Sequence, residues 1–502
     1  MDRYDLDTPL IVMPSPYGTD VWTIRHACSG VAVFGATSSG KSSGSGRLLA
    51  LKYLTAGFGG LVLTVKPDEV ETWRSYCVMT GRIDDLVVIE PGAKHVFNIL
   101  DHAAGHGGDG LAATDNIVEL LTQVIEAGQT QDSSRGDDSF WNDQLRLLII
   151  FTIDLIKLAY NRVSVQDIYD IIQTIPHADD ALQNTDGKTK AFHKAFEAAQ
   201  INVNKQIESW AANHTNAQKN AYQDEAVFES ALLDAIPDAR LLKFVDGYFI
   251  DEFIPLAGKT RSIITVSVSA FMFKLLREPF YSLFCRTVST ITPENCYEGK
   301  IVIINLPTKE YHKVGRDIQM AAKLLFVRAW EQRDVRINPR VCFIFIDEAQ
   351  EFLTEFDAKF LTTARSSRIA TVYLSQSLSN FYAVMGGQKA EYRVRSLMGN
   401  FGTKIFHANT DEATGEYASK LIGDAYFEDQ TESVTVAQNF SQTRGRSLKL
   451  ERVVRPEAFT KLLTGGPSNN LCVEGYIHRQ GQSFSNDWSH RKMIFRQDYK
   501  PK

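Results

Sequence analysis

The spacing of apolar residues changes several times along this chain, and each change predicts a different kind of element. Val31–Phe34, Gly60–Val65 and Leu86–Glu90 are short apolar runs, separated by helical periodicity over Ser43 to Leu54 and Glu69 to Thr80. Short buried runs alternating with helices predict an α/β fold with a mainly parallel sheet covered on both faces. From about Asp101 to Asp238 the strand pattern stops. Apolar residues there recur at helical spacing, as in Ile117, Leu120, Leu121, Val124 and again in Leu145, Leu148, Ile149. This block reads as an all-α insertion, with a loop around Gly128–Gly136. Strand signals return at Ser262–Val268, Lys300–Leu306, Arg340–Ile346, Ile369–Leu374 and Thr403–Ala408, with a helix over Arg316 to Arg333. Beyond Asp424 the chain turns polar and β-rich, with alternation at Glu432–Gln438 and Leu471–His478. The expected domains are 1–100 and 246–430 for the two parts of the α/β body, 101–245 for the insertion and 431–502 for a β-rich extension.

Composition narrows the class only slightly. The 502 residues are 44% hydrophobic and 23% charged with net charge −6, ordinary for a globular chain. Charge is uneven: Ser441 to Lys502 holds 12 Lys/Arg against 5 Asp/Glu, a net of +7, so the remainder is acidic. An acidic body excludes a general nucleic-acid coat but leaves room for a locally basic channel. The six cysteines are scattered without a C-x-x-C pair, which excludes a zinc or disulfide framework and predicts a reducing compartment. The most apolar window, Leu145 to Tyr160, contains Arg146, Asp154 and Lys157, so it predicts a core helix and no membrane span. A cytoplasmic location is expected.

Chemistry enters with Gly35-Ala36-Thr37-Ser38-Ser39-Gly40-Lys41-Ser42-Ser43, directly after the first apolar run. A strand, a glycine-bounded loop and a helix form a phosphate cradle. The loop's N–H groups turn inward and the helix N-terminus adds partial positive charge. Lys41 is expected to reach the β and γ phosphates of ATP, and the Ser42 hydroxyl to help hold Mg²⁺. The apolar run Val341–Ile346 then delivers Asp347 and Glu348 to the sheet edge where ligands of open α/β sheets bind. Asp347 is expected at Mg²⁺ through water and Glu348 at the attacking water, although acidic pairs after strands also serve as helix caps. Gln376, at the tip of Ile369–Leu374, is a candidate sensor of the γ-phosphate. Arg365 and Arg368, just before that run, are candidates for neutralising transition-state charge from a neighbouring subunit. Lys66-Pro67-Asp68-Glu69 is a further loop expected near the phosphates.

With these residues in place, the chain resembles the VirD/TraG/TraD class of type IV secretion coupling proteins, in the FtsK/HerA branch of RecA-like motor ATPases. The resemblance runs from about Ala32 to about Phe484. It is most specific in the spacing of Asp347-Glu348, Arg365 and Leu374-Ser375-Gln376. Phe140-Trp141, Asn98, Asn400 with Thr403-Lys404-Ile405, and Asp411 to Thr414 also look like landmarks of that class. The resemblance implies a RecA-like P-loop fold and a hexameric ring driven by ATP and Mg²⁺. The ring would move DNA, single-stranded in preference to duplex, with a bound relaxase or secreted proteins as cargo. By the same implication Arg365 acts in trans. Members of the class carry a membrane region before the motor, whereas here the P-loop starts at Gly35, so either a separate membrane subunit supplies an anchor at the inner membrane or this member works away from a secretion channel. Two other readings are a HerA/FtsK-type pump of double-stranded DNA in repair or phage defence, and an ATP-regulated adaptor that docks cargo.

Overall fold

The computed structural model describes residues 3–105, 111–129, 138–177, 190–215, 224–286, 288–387, 389–435 and 441–501. The loop expected around Gly128–Gly136 falls, from 130 on, outside them, as do residues 436–438 of the alternating run at Glu432. The chain divides into two compact units. One comprises Met1–Val88, Pro293–His312 and Val327–Lys502, and the other Ile89–Thr292 and Lys313–Phe326.

The first unit is organised by a sheet. A hairpin of β1 (Pro9–Ser15) and β2 (Gly18–Thr23) comes first. The strands β3 (Val31–Phe34), β4 (Gly59–Leu63), β5 (Leu86–Ile89), β6 (Ile301–Ile304), β7 (Cys342–Ile346), β8 (Ile369–Ser375) and β9 (Thr403–Phe406) follow. Beyond β9 come a two-stranded ribbon, β10 (Asp424–Thr435) and β11 (Ser441–Arg452), and then β12 (Cys472–Arg479) and β13 (His490–Arg496). Among the described residues the main sheet has the order β13-β12-β9-β3-β8-β7-β4-β6-β5. Pairing is parallel between β9 and β3, β3 and β8, β8 and β7, β7 and β4, and β4 and β6. The last two strands depart from that pattern: β12 pairs antiparallel with both β9 and β13. Much of the predicted β-rich extension therefore completes the main sheet.

Every residue of β3, β4, β6, β7 and β8 is buried, as expected of parallel strands covered on both faces. One face packs an aromatic cluster: Trp73 stacks on Phe343 at 5.6 Å, and Tyr53 lies 5.2 Å from Phe58. Closing the loop after β3, Ser42–Gly46 forms a single wide turn in which the Gly46 N–H donates to the Lys41 carbonyl at 2.8 Å. The regular helix Arg47–Ala56 follows and ends on Gly57 with φ +83°.

The second unit is helical among its described residues outside the last residue of β5. Its long helices include Asp138–Tyr160, Ala191–Ala212 and Gly258–Leu275. The last of these corrects the strand expected at Ser262–Val268. Val, Ile and Thr favour strands, but Ile264, Val268, Phe271, Met272 and Leu275 are buried at helical spacing. Thr265 and Ser267 donate their hydroxyls to the carbonyls four residues back, satisfying both within the helix. Arg261 anchors the helix by donating to the carbonyls of Ile175 and Pro176, both at 2.6 Å. The unit that holds this helix runs on to Thr292.

Candidate active site

The loop between β3 and the helix Arg47–Ala56 lies at the C-terminal edge of the parallel strands. Its glycines are demanded by close neighbours. Gly40 has φ +83°, and a Cβ there would come within 2.4 Å of Val473. At Gly35 a Cβ would lie 2.3 Å from the Ser39 Oγ. That Ser39 hydroxyl is buried and has no hydrogen-bond partner among the described residues. A buried hydroxyl left in this state within a glycine-bounded loop fits a polar or anionic ligand.

Lys41 and Ser42 already have anionic partners. Lys41 Nζ donates to Glu348 Oε1 at 3.2 Å, with the two side chains only 7% and 8% exposed. Ser42 donates its hydroxyl to Asp347 Oδ2 at 2.6 Å. Asp347 and Glu348 follow β7, and Glu348 adopts a left-handed backbone with φ 57° and ψ 52°. Such a conformation costs a non-glycine residue on the order of 1 kcal/mol, and strained residues of this kind collect at functional sites.

Glu348 is the hub of the site. Its Oε1 also accepts from Gln376 Nε2 at 3.3 Å, and its Oε2 accepts from Gln350 Nε2 at 3.0 Å. Ser375 fixes Gln350 in turn by donating to its Oε1 at 2.8 Å. Burial raises the Glu348 carboxyl, but the hydrogen bonds from Gln350 and Gln376 and the charge of Lys41 outweigh it and hold the group below its ordinary value. It is therefore an anion at neutral pH, able to orient a water and to accept its proton.

The loop after β4 reaches the same edge. Glu69 accepts from the backbone N–H groups of Val65 and Lys66 at 3.4 and 3.1 Å. Burial and the neighbouring Asp347 carboxylate push the Glu69 carboxyl up to about 8.

The two arginines stand elsewhere. Both precede β8, whose far end carries Gln376. Seven residues of extended chain, roughly 23 Å, separate them from the site. Neither reaches Lys41 within one chain. Arg368 is half-buried and donates to the Tyr4 carbonyl, tying down the start of the chain. Arg365 is exposed, and its guanidinium has no hydrogen bond or ion pair among the described residues.

Two contributors had no signal in the sequence. His407, directly after β9, is fully buried. Its Nδ1 lies 2.8 Å from the Glu474 carbonyl and its Nε2 2.7 Å from Ser45 Oγ, so Nδ1 carries the proton and Nε2 accepts from Ser45. Burial pushes the imidazole down to about 4, so it stays neutral. Gln350 is the second, visible only as a polar residue two places beyond Glu348. Other landmarks of the resemblance have structural roles. Asn98 accepts from the N–H groups of Leu100 and Asp101, and Asp411 accepts from the Thr414 N–H at 2.9 Å, each capping a helix.

Residues 341–463, from the acidic strand through the ribbon, match the family model described as the TraM recognition site of TraD and TraG. Among solved structures, the unbound monoclinic form of the bacterial conjugative coupling protein TrwBdeltaN70 aligns with a TM-score of 0.60. The identity is 15%, over 95% of this chain and 87% of that one. The chain has the fold of a conjugative coupling protein. Two further structures of the plasmid coupling protein TrwB agree. One is in complex with the non-hydrolysable ATP analogue ADPNP (TM-score 0.55, 17% identity, 95% and 87% covered), the other with ADP and Mg²⁺ (0.55, 16%, 96% and 88%). No curated protein matches the chain by sequence. Among the described residues, no helix of this coupling-protein fold is long and apolar enough to cross a membrane.

Proposed function

We propose that this chain is an ATP-hydrolysing coupling ATPase that moves DNA at the expense of ATP. The observation that carries the reading is the convergence of Lys41, Glu348 and Gln376 on one buried point, beside the Ser42–Asp347 contact. The match at 341–463 and the nucleotides in the TrwB complexes support it.

In this reading the loop Gly35–Ser43 binds the phosphates through its N–H groups, and the Ser39 hydroxyl gains its missing partner there. Lys41 leaves Glu348 for the β and γ phosphates. Ser42 and Asp347 hold Mg²⁺, which when bound neutralises charge on those phosphates. Glu348, still held by Gln350, orients the attacking water and accepts its proton. Gln376 meets the γ-phosphate from the tip of β8 and passes the loss of that contact to the segment it begins.

The exposed Arg365, far from its own chain's site, fits a finger offered to the neighbouring subunit of a hexameric ring. The ring is read as cytoplasmic, with single-stranded DNA carrying a relaxase, or secreted proteins, as cargo. A partner recognised through 341–463 completes the assembly.

The test is steady-state ATP hydrolysis with and without single- and double-stranded DNA, beside a Lys41→Ala control. Stimulation by single strands that disappears in the variant is expected. Stronger stimulation by duplex would favour a HerA-like pump, and Lys41-dependent hydrolysis indifferent to DNA would favour the cargo adaptor.

A further inference from the structure

The strand that feeds the phosphate loop has two different flanks. On one side of β3 lie β8 and β7, carrying Gln376, Asp347 and Glu348. On the other lie β9, β12 and β13. A nucleoside triphosphate whose γ-phosphate faces Glu348 therefore directs its nucleoside toward the β12–β13 flank.

That flank presents a built wall. The segment Thr464–Leu471 precedes β12 and borders the loop, since a Cβ on Gly40 would come within 3.1 Å of the Thr464 carbonyl. Four of its eight residues have left-handed backbone: Gly465 (φ +84°), Gly466 (φ +77°), Asn470 (φ 52°) and Leu471 (φ 57°). Two are not glycines, so the segment is held in its shape by its surroundings.

The restraint is Gln497, just past β13. Its backbone N–H donates to the Leu471 carbonyl at 2.9 Å, and its Oε1 accepts from the Gly466 N–H at 2.7 Å. That leaves Nε2 for Ser43 Oγ, to which it donates at 2.6 Å. One side chain thus ties the wall to the residue next to Ser42.

We propose that the Gly465–Asn470 segment is the nucleoside subsite of this ATPase, and that Gln497 is the positioning residue that locks it against the phosphate loop. The inference rests on the nucleotide-binding reading above. Phosphate capture belongs to the loop N–H groups and Lys41, whereas base and ribose rest on a wall that Gln497 holds in place. Removing the tie then weakens a ligand that has a nucleoside and spares one that has only phosphates.

The experiment compares Mg-ADP and Mg-tripolyphosphate binding to the full chain by calorimetry, for wild type and Gln497→Ala. The expected result is an ADP affinity about tenfold weaker, near 1.4 kcal/mol, with tripolyphosphate within about twofold of wild type. Should the alanine variant fail to fold, Gln497→Asn serves, since it keeps the amide but is one methylene too short to make both side-chain bonds. Equal loss for both ligands would reduce Gln497 to a brace for the phosphate loop and overturn the proposal, as would no change for either. If wild type binds neither ligand, the nucleotide-site reading itself falls, an outcome distinct from both.

Discussion

The two flanks of β3 differ in how they were built and in how far the sequence reveals them. Toward β8 and β7, parallel strands end together and each strand tip adds polar groups, Gln376 after β8 and Asp347 with Glu348 after β7. Toward β12 and β13, the sheet turns antiparallel, and His407, held by the Glu474 carbonyl, and Gln497 bond to Ser45 and Ser43 from distant parts of the chain. The first flank is arranged for charge, with Lys41 against Glu348. The second is arranged for position, through neutral hydrogen bonds to Ser45 and Ser43. Substitutions on the first should therefore act on the chemical step, and those on the second on binding and stability.

The largest effect should come from Lys41→Ala, with kcat for ATP hydrolysis lower by about 10³-fold or more. Glu348→Gln should approach that loss, because it keeps the size of the side chain but removes the proton acceptor, and its single amide oxygen can accept from only one of Gln350 and Gln376. Retention of wild-type turnover by Glu348→Gln would transfer the base role elsewhere and erase the contrast between the flanks.

The arginines extend the contrast to the opposite sheet edge. Arg365→Ala should lower hydrolysis of the assembled protein by about 10²-fold or more and leave melting unchanged, because its exposed guanidinium makes no hydrogen bond or ion pair among the described residues. Mixing Lys41→Ala with Arg365→Ala chains should then recover part of the activity, since some interfaces regain one intact member of each kind. Arg368→Ala should do the reverse. It should cost about 1–2 kcal/mol of stability through the lost bond to Tyr4, with turnover per folded molecule preserved. No recovery on mixing would mean that Arg365 does not act between subunits.

What could be read in advance divides along the same line. The phosphate loop, the acidic strand and Gln376 are local patterns: an apolar run followed within a few residues by the group it delivers. Their placement is legible because the strand, the tip and the side chain are neighbours in sequence. His407 and Gln497 are not, since what defines them is the antiparallel pairing of β12 with β9 and β13, which sets residues more than 350 positions away from Ser45 and Ser43 against them. Ser262–Val268 failed for a related reason. Its composition favours a strand, but its burial repeats at three and four residues, and packing overrode propensity. Glu348 shows the limit from the other side: the acidic pair could be read, but the left-handed turn that aims it at Lys41 could not.

The smallest effect tests the neutral flank through its protonation. In the unfolded chain His407 binds a proton near its ordinary 6.5, whereas in the folded protein burial lowers this to about 4. Between those values the unfolded state holds more protons. The stability associated with neutral His407 is therefore complete above pH 6.5 and is lost as pH falls toward 4, by about 3 kcal/mol in all. His478, also pushed down to about 4, has the same sign. Glu69 has the opposite one, because its carboxyl, raised to about 8, favours the folded state more as pH falls from 8 toward 4.5. The wild-type profile is thus flattened where these terms overlap, and the raw slope says little. The difference between wild type and His407→Gln isolates the one group: glutamine keeps a donor and an acceptor but cannot titrate. The variant should lose less stability than wild type between pH 6.5 and 4.5, measured by urea unfolding at each pH. Parallel profiles would mean that His407 takes up its proton in the folded protein as readily as in the unfolded chain, and the second flank would then gain charge below about pH 6.5.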